Sequence, residues 1–276
     1  AVGCFSLMDA LLKTLSASYP AMQVAALRGW AALPLVALYV LWRGEVRGLL
    51  KVRWPLHLLR GVLNVTMLGL FTYALKELGL AEAYTLFFIA PLLITALSTV
   101  VLGEKVRAAH WVAIVLGMVG VVVALRPSQD AFFTLGALAV LGAACGYAVS
   151  AITGRVLSRT DSSASLVFWT TALLALGAGT LAWPNWVGVA QAHWPLVAGL
   201  AVTGFLGQLA ITEAFRHGQA SVVAPFEYTA LAWGMGLDWV LWQAVPGVST
   251  LLGGAIIIGS GLYLVRQERT QAVVPP

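Results

Sequence analysis

Charge is scarce in this chain. Asp, Glu, Lys and Arg make up 10% of its 276 residues, against roughly 25% in soluble domains. A water-facing surface of ordinary extent is therefore excluded. Histidine is limited to four positions and cysteine to two. His57, His110, His193 and His217 fall at the ends of apolar stretches, and no HExxH pair is present to hold a catalytic zinc. There is no P-loop of the kind an ATP-driven pump needs, and no filter-like sequence of the kind that marks a channel. Gly234-Met-Gly-Leu-Asp238 has one residue too many for an intramembrane aspartyl protease motif, and Gly259-Ser260-Gly261 lacks the glycine of GxSG, so enzymatic chemistry is not expected. Cys4 and Cys145 lie inside apolar segments, where a buried, inert thiol is the expectation. No cleavable signal peptide is visible, and the short first segment from Ala1 suggests that a few native residues precede it.

What is abundant is apolar sequence. Hydrophobic residues reach 60% and mean hydropathy is +0.90. A helix crossing the hydrocarbon core needs about 20 apolar residues at about 1.5 Å each. Ten such spans fit, over 1–16, 20–42, 55–75, 81–102, 108–126, 133–154, 163–183, 194–215, 219–242 and 249–265. Stretches 80–102 and 111–125 are apolar on every face, which excludes the alternating pattern of a membrane strand. The expected fold is an all-α polytopic membrane protein with ten transmembrane helices and lipid around it. The net charge of +5 marks one side of a membrane rather than nucleic acid. With the N-terminus inside, eleven of the sixteen Lys and Arg fall in cytoplasmic segments and only Lys76 and Arg126 in the opposite loops. Both termini are therefore expected on the cytoplasmic side of a bacterial-type inner membrane.

A shift of 139 residues superposes the spans five onto five and pairs Trp30 with Trp169, Gly79 with Gly218, Phe87 with Phe226 and Gly120 with Gly259. An odd number of spans per half reverses the orientation of the second half. This is the inverted-repeat plan of many secondary transporters, here with repeats over 1–127 and 128–276. The close pairs Gly142 with Gly146, Gly204 with Gly207 and Gly253 with Gly254 permit helix contact within one subunit, in keeping with a monomer.

Leu27-Arg28, the stretch Ala74-Leu75-Lys76 through Gly79 to Ala81, and Pro91 leading to Leu102-Gly103-Glu104-Lys105 resemble the drug/metabolite transporter superfamily, EamA type. The second half repeats the pattern at 214–220 and at Pro225-Phe226-Glu227-Tyr228, but has Trp242-Gln243 where Gly-Glu is usual. The resemblance implies a ten-helix exporter or importer of small metabolites, most similar to the amino-acid exporters, working without a cofactor.

The ionisable residues inside spans need individual readings. Arg60, Glu213 and Asp238 are near enough to span ends to anchor at the interface. Asp9 and Lys13 are spaced to neutralise one another as a structural pair or to serve transport. Arg28, about eight residues into its span, either contacts a ligand or holds helices through backbone carbonyls. Glu227 is the most suggestive acid, with Pro225 removing a backbone donor nearby and Tyr228 adding a polar ring. Pro91, Pro225 and Pro34 are expected to kink the fourth, ninth and second spans, either as hinges or by freeing carbonyls. Tyr84, Phe88, Pro91 and Thr95 recur on one face of the fourth span, and the shift carries Tyr84 and Phe88 onto Val223 and Glu227. The expected substrate site joins Tyr84, Phe88, Glu227, Tyr228 and Asn64 with Trp30 and Trp169, although each aromatic taken alone also suits simple packing. Such a lining suits a neutral zwitterion, hence export of hydrophobic and aromatic amino acids. Sugar-nucleotides or other phosphorylated metabolites call for several basic residues, and only Lys13, Arg28 and Arg60 are inside spans.

Overall fold

The computed structural model describes residues 1–74, 77–78, 80–126, 134–243 and 247–272, and among these the chain forms helices and no strand. Twelve α-helices follow in order: α1 (Val2–Ser16), α2 (Ala21–Trp42), α3 (Trp54–Ala74), α4 (Leu80–Phe87), α5 (Ala90–Val101), α6 (Ala108–Leu125), α7 (Leu135–Leu157), α8 (Ser163–Ala182), α9 (Trp194–His217), α10 (Ala220–Val223), α11 (Thr229–Trp242) and α12 (Val248–Ala272). The expected ends agree within three residues, except that α12 continues beyond the predicted stop at 265. Local chemistry explains several of these ends. Pro20 precedes α2 with the extended backbone that suits an entry residue. Ser162 caps α8 by accepting the Ser165 N–H at 3.2 Å. Gly103, at φ +66°, lets the chain leave α5 in the left-handed conformation.

Two expectations need correction. The fourth and ninth spans are broken rather than merely kinked. α4 stops at Phe87, two residues form a turn, and α5 begins with Pro91 in its first turn. The ninth divides into α10, a 3-10 turn over Ala224–Tyr228 with Pro225 in its first turn, and α11. Proline has no N–H to donate and crowds the preceding turn, so a new first turn is where it fits best. Pro34, by contrast, stays inside the continuous α2. The second correction concerns the thiols: Cys145 is exposed on α7 and Cys4 half-buried, because helix phase and not span membership decides burial.

Seven helical segments are long and apolar enough to cross a membrane: α2, 83–101 through α4 and α5, α6, α7, α8 with the turn after it, α9 with the turn before it, and α12. α1 and α11 have 15 and 14 residues and are short for that task, and α3 carries His57, Arg60 and Asn64 among its 21.

The chain forms two compact units. The first comprises Ala1–Thr66 and Thr153–His217. In it α2 packs most extensively on α8, with α9 against α1 and α2. Gly29 of α2 meets α8 so closely that a Cβ there would stand 2.8 Å from the Ala175 Cα. Met8, Leu15, Tyr19, Val24, Val197 and Leu200 form its apolar core. One buried polar cluster in it is paired: His57 Nε2 and Asp161 Oδ2 are 2.9 Å apart, and Thr160 donates to Asp161 Oδ1 at 2.8 Å. The second unit comprises Met67–Ile152 and the chain from Gly218 onward. Here α6 packs most extensively on α12, where Gly120 and Gly253 approach each other. The repeat boundary expected at 127 lies outside the described residues.

Candidate functional site

Both broken spans belong to the second unit, and their breaks set the geometry of its most distinctive feature. At the first break the Phe88 N–H donates to the Tyr84 carbonyl at 3.0 Å and the Ile89 N–H to that of Leu86 at 3.2 Å, after which Pro91 starts α5. The second break sets Glu227 and Tyr228 in the last residues of a 3-10 turn.

Around these breaks six aromatic rings form a continuous chain. Tyr147 of α7 lies 5.6 Å from Phe87, Phe87 5.6 Å from Phe71, Phe71 5.7 Å from Tyr84, Tyr84 6.3 Å from Phe88, and Phe88 5.8 Å from Tyr228. These tilted and edge contacts lie in the range where aromatic pairs attract. The chain closes on itself through a carboxylate, because the Tyr147 hydroxyl donates to Glu227 Oε1 at 2.9 Å and Glu227 precedes Tyr228. Tyr228 is fully buried with Phe88, Val121 and Ile257. A Cβ on Gly117 of α6 would collide with the Tyr228 ring, so the ring fills the room that this glycine leaves. Two buried hydroxyls, those of Tyr228 and Thr95, have no hydrogen-bond partner among the described residues. Buried polar atoms of that kind are normally satisfied by protein, water or ligand. The arrangement thus offers aromatic faces, one carboxylate and the unpartnered Tyr228 hydroxyl.

The ninth span is anchored from one end. Glu104, in the Leu-Gly-Glu-Lys motif after α5, accepts the Ala220 N–H at 3.0 Å, the Ser221 N–H at 3.2 Å and the Ser221 hydroxyl at 3.1 Å. A carboxylate at a helix start satisfies donors that the helix itself leaves open. Gln243, its counterpart under the 139-residue shift, returns its amide to the Val240 carbonyl of its own helix at 3.3 Å.

Of the residues predicted for the site, Tyr84, Phe88, Glu227 and Tyr228 are brought together in the second unit. Trp30 and Trp169 are in the first, each with other partners. Trp30 stacks on Trp186 at 5.2 Å and lines an apolar groove of about 450 Å³ with Leu33, Pro34, Phe168 and Leu176. Trp169 donates to the Leu49 carbonyl at 2.9 Å and meets Trp54 edge to face at 4.5 Å. Asn64 is half-buried on α3 and Lys13 exposed on α1. Arg28 of α2 acts electrostatically on Asp9, a pairing that spacing along α1 does not reveal. Sequence reasoning missed Tyr147, Phe71 and Phe87, which carry no motif, and the His57–Asp161 pair, whose partners are over a hundred residues apart.

Curated relatives cover nearly the whole chain. It is 30% identical over 267 residues to the pseudopaline exporter CntI of Pseudomonas aeruginosa, covering 96% of this chain and 93% of that one. It is 31% identical over 251 residues to a riboflavin transporter of Vibrio cholerae, covering 90% and 84%. It is 26% identical over 262 residues to an S-adenosylmethionine uptake transporter of Rickettsia conorii, covering 95% and 88%. A protein crystal structure shares the fold with a TM-score of 0.85 at 21% identity, over 98% of this chain and 96% of that one. Residues 1–126 and 134–266 both match the EamA-like transporter family, in keeping with the motifs around Arg28, Pro91 and Glu104, and the chain belongs to that family of membrane transporters.

Proposed function

We propose that this transporter exports small organic solutes that join an aromatic or other planar apolar group to an ammonium, aromatic and hydrophobic amino acids being the simplest of them. The observation that carries this reading is the ring of six aromatic side chains closed by the Tyr147–Glu227 hydrogen bond. Aromatic faces attract both flat rings and cations, and a carboxylate held by one tyrosine keeps lone pairs for an ammonium. The names of two relatives point the same way, since riboflavin and S-adenosylmethionine both contain a planar heteroaromatic ring.

Transport in this reading proceeds by alternating access between two inverted five-helix repeats, 1–127 and 128–276, with both termini cytoplasmic. Its support is that α2 packs chiefly on α8 and α6 on α12. These are the pairs that the 139-residue shift makes equivalent, and elements beside a two-fold axis meet their own images.

The test is counterflow of radiolabelled L-phenylalanine and L-tryptophan in proteoliposomes. Glu227→Gln and Tyr84→Ala should each lower the initial rate about tenfold or more with folded yield unchanged, as expected for losing one strong contact. Wild-type rates in both variants, or no counterflow of any aromatic solute by the native protein, would remove the proposal.

A further inference from the structure

Arg28 lies inside α2 of the first unit, whereas the aromatic residues of the proposed site belong to the second. An added Cβ on Gly204 of α9 would stand 3.8 Å from its Cγ, so the stem runs alongside α9 at this glycine. Its guanidinium stands 5.9 Å from the centre of the Phe5 ring of α1. Asp9, one turn further along α1, acts on it electrostatically. No acceptor among the described residues lies within hydrogen-bond range of this guanidinium. Its five N–H donors are therefore left without a described acceptor.

Such an arrangement is expensive unless something else completes it. A guanidinium within a membrane-crossing bundle faces a partner or a watered cavity, not hydrocarbon. Arg28 is half-buried and Asp9 exposed, which leaves the pair open to a ligand. Ser6, 6% exposed, has a hydroxyl with no partner among the described residues, and falls with Phe5 and Asp9 within an arc of about 100° on α1. A planar fork of N–H donors matches a carboxylate in bidentate fashion. Asp9 beside it lowers the net positive field, which disfavours a doubly charged phosphate.

We infer that Arg28, with Phe5 under its guanidinium and Asp9 beside it, is a binding site for the carboxylate of an organic anion or zwitterion. The site is built by α1, α2 and α9 of the first unit, and none of its residues belongs to the Glu227 site.

Titration calorimetry on the purified full chain in detergent tests it with phenylacetate, phenylphosphonate and phenethylamine. Phenylacetate should bind, and Arg28→Gln should weaken it about tenfold or more, the loss expected for a charge-assisted hydrogen-bonded pair. Arg28→Lys, which keeps the charge without the fork, should fall between the two. Asp9→Asn, which removes the competing carboxylate, should tighten phenylacetate binding, and this variant carries the test should Arg28→Gln not fold. Phenethylamine has no carboxylate, and its response to Glu227→Gln reports on the aromatic site alone. No binding of phenylacetate, equal affinity in native protein and Arg28→Gln, no tightening in Asp9→Asn, or tighter binding of phenylphosphonate than of phenylacetate would each overturn the assignment.

Discussion

At Tyr228 a single glycine decides whether a ring fits. The side chain is fully buried, and the missing Cβ of Gly117 is the space its edge occupies. Because packed interiors tolerate added atoms poorly, Gly117→Ala should destabilise the protein by about 1–3 kcal/mol, read as a lower midpoint of thermal unfolding in detergent. The double variant Gly117→Ala with Tyr228→Leu should recover part of that loss, since the smaller side chain vacates the collision. Additive losses would mean that the two residues do not share this space. The same dependence on neighbours holds for Asp161, whose carboxylate gathers His57, Thr160 and the Arg53 N–H although its flanking sequence is unremarkable loop.

Among the elements, the broken spans matter most. Pro91 and Pro225 each open a new first turn, and the interruption leaves α10 only four residues long. So short a helix has no stability of its own, because nucleation is unfavourable until several turns have formed. Glu104 supplies what is missing by accepting two N–H groups and a hydroxyl at the start of α10. Glu104→Ala should therefore free these donors and speed hydrogen exchange at the Ala220 and Ser221 amides about tenfold or more, corresponding to at least one lost charge-assisted bond. Glu104→Gln, which retains one acceptor oxygen, should give a smaller change. Unchanged exchange in Glu104→Ala would show that packing against α5 alone holds the segment. Gln243 gives the first break no such anchor, because its amide returns to the Val240 carbonyl of its own helix.

For the whole molecule, family membership and the pairing of α2 with α8 and of α6 with α12 support a transporter built from repeats whose elements intermix. Each compact unit takes helices from both sequence halves, so the units do not follow the proposed repeats. The proposed orientation makes a direct prediction for exposed positions. In a background with Cys4→Ala and Cys145→Ala, a membrane-impermeant maleimide should label Lys51→Cys only from the cytoplasmic side and Arg126→Cys only from the other. Labelling of both from one side would overturn that orientation.

Helix positions, the membrane environment and the family were legible in the sequence, because each depends on local properties. Span length follows from bilayer thickness, helix ends from Pro, Gly and charge, and membership from motifs that keep their order along the chain. Even the prolines marked where the fourth and ninth spans yield, although whether a helix bends or divides depends on what its freed carbonyls and donors find nearby. The site was only half legible. Tyr84, Phe88, Glu227 and Tyr228 stood out by spacing and polarity, whereas Tyr147, Phe71 and Phe87 join them only through packing of α3, α4 and α7. In a chain that is 60% hydrophobic, one apolar helix face resembles another, so which faces meet is not written in periodicity. That choice was made by tertiary contacts at small residues, such as Gly117 under the Tyr228 ring and Gly29 against Ala175, where close approach and not hydrophobicity selects the partner.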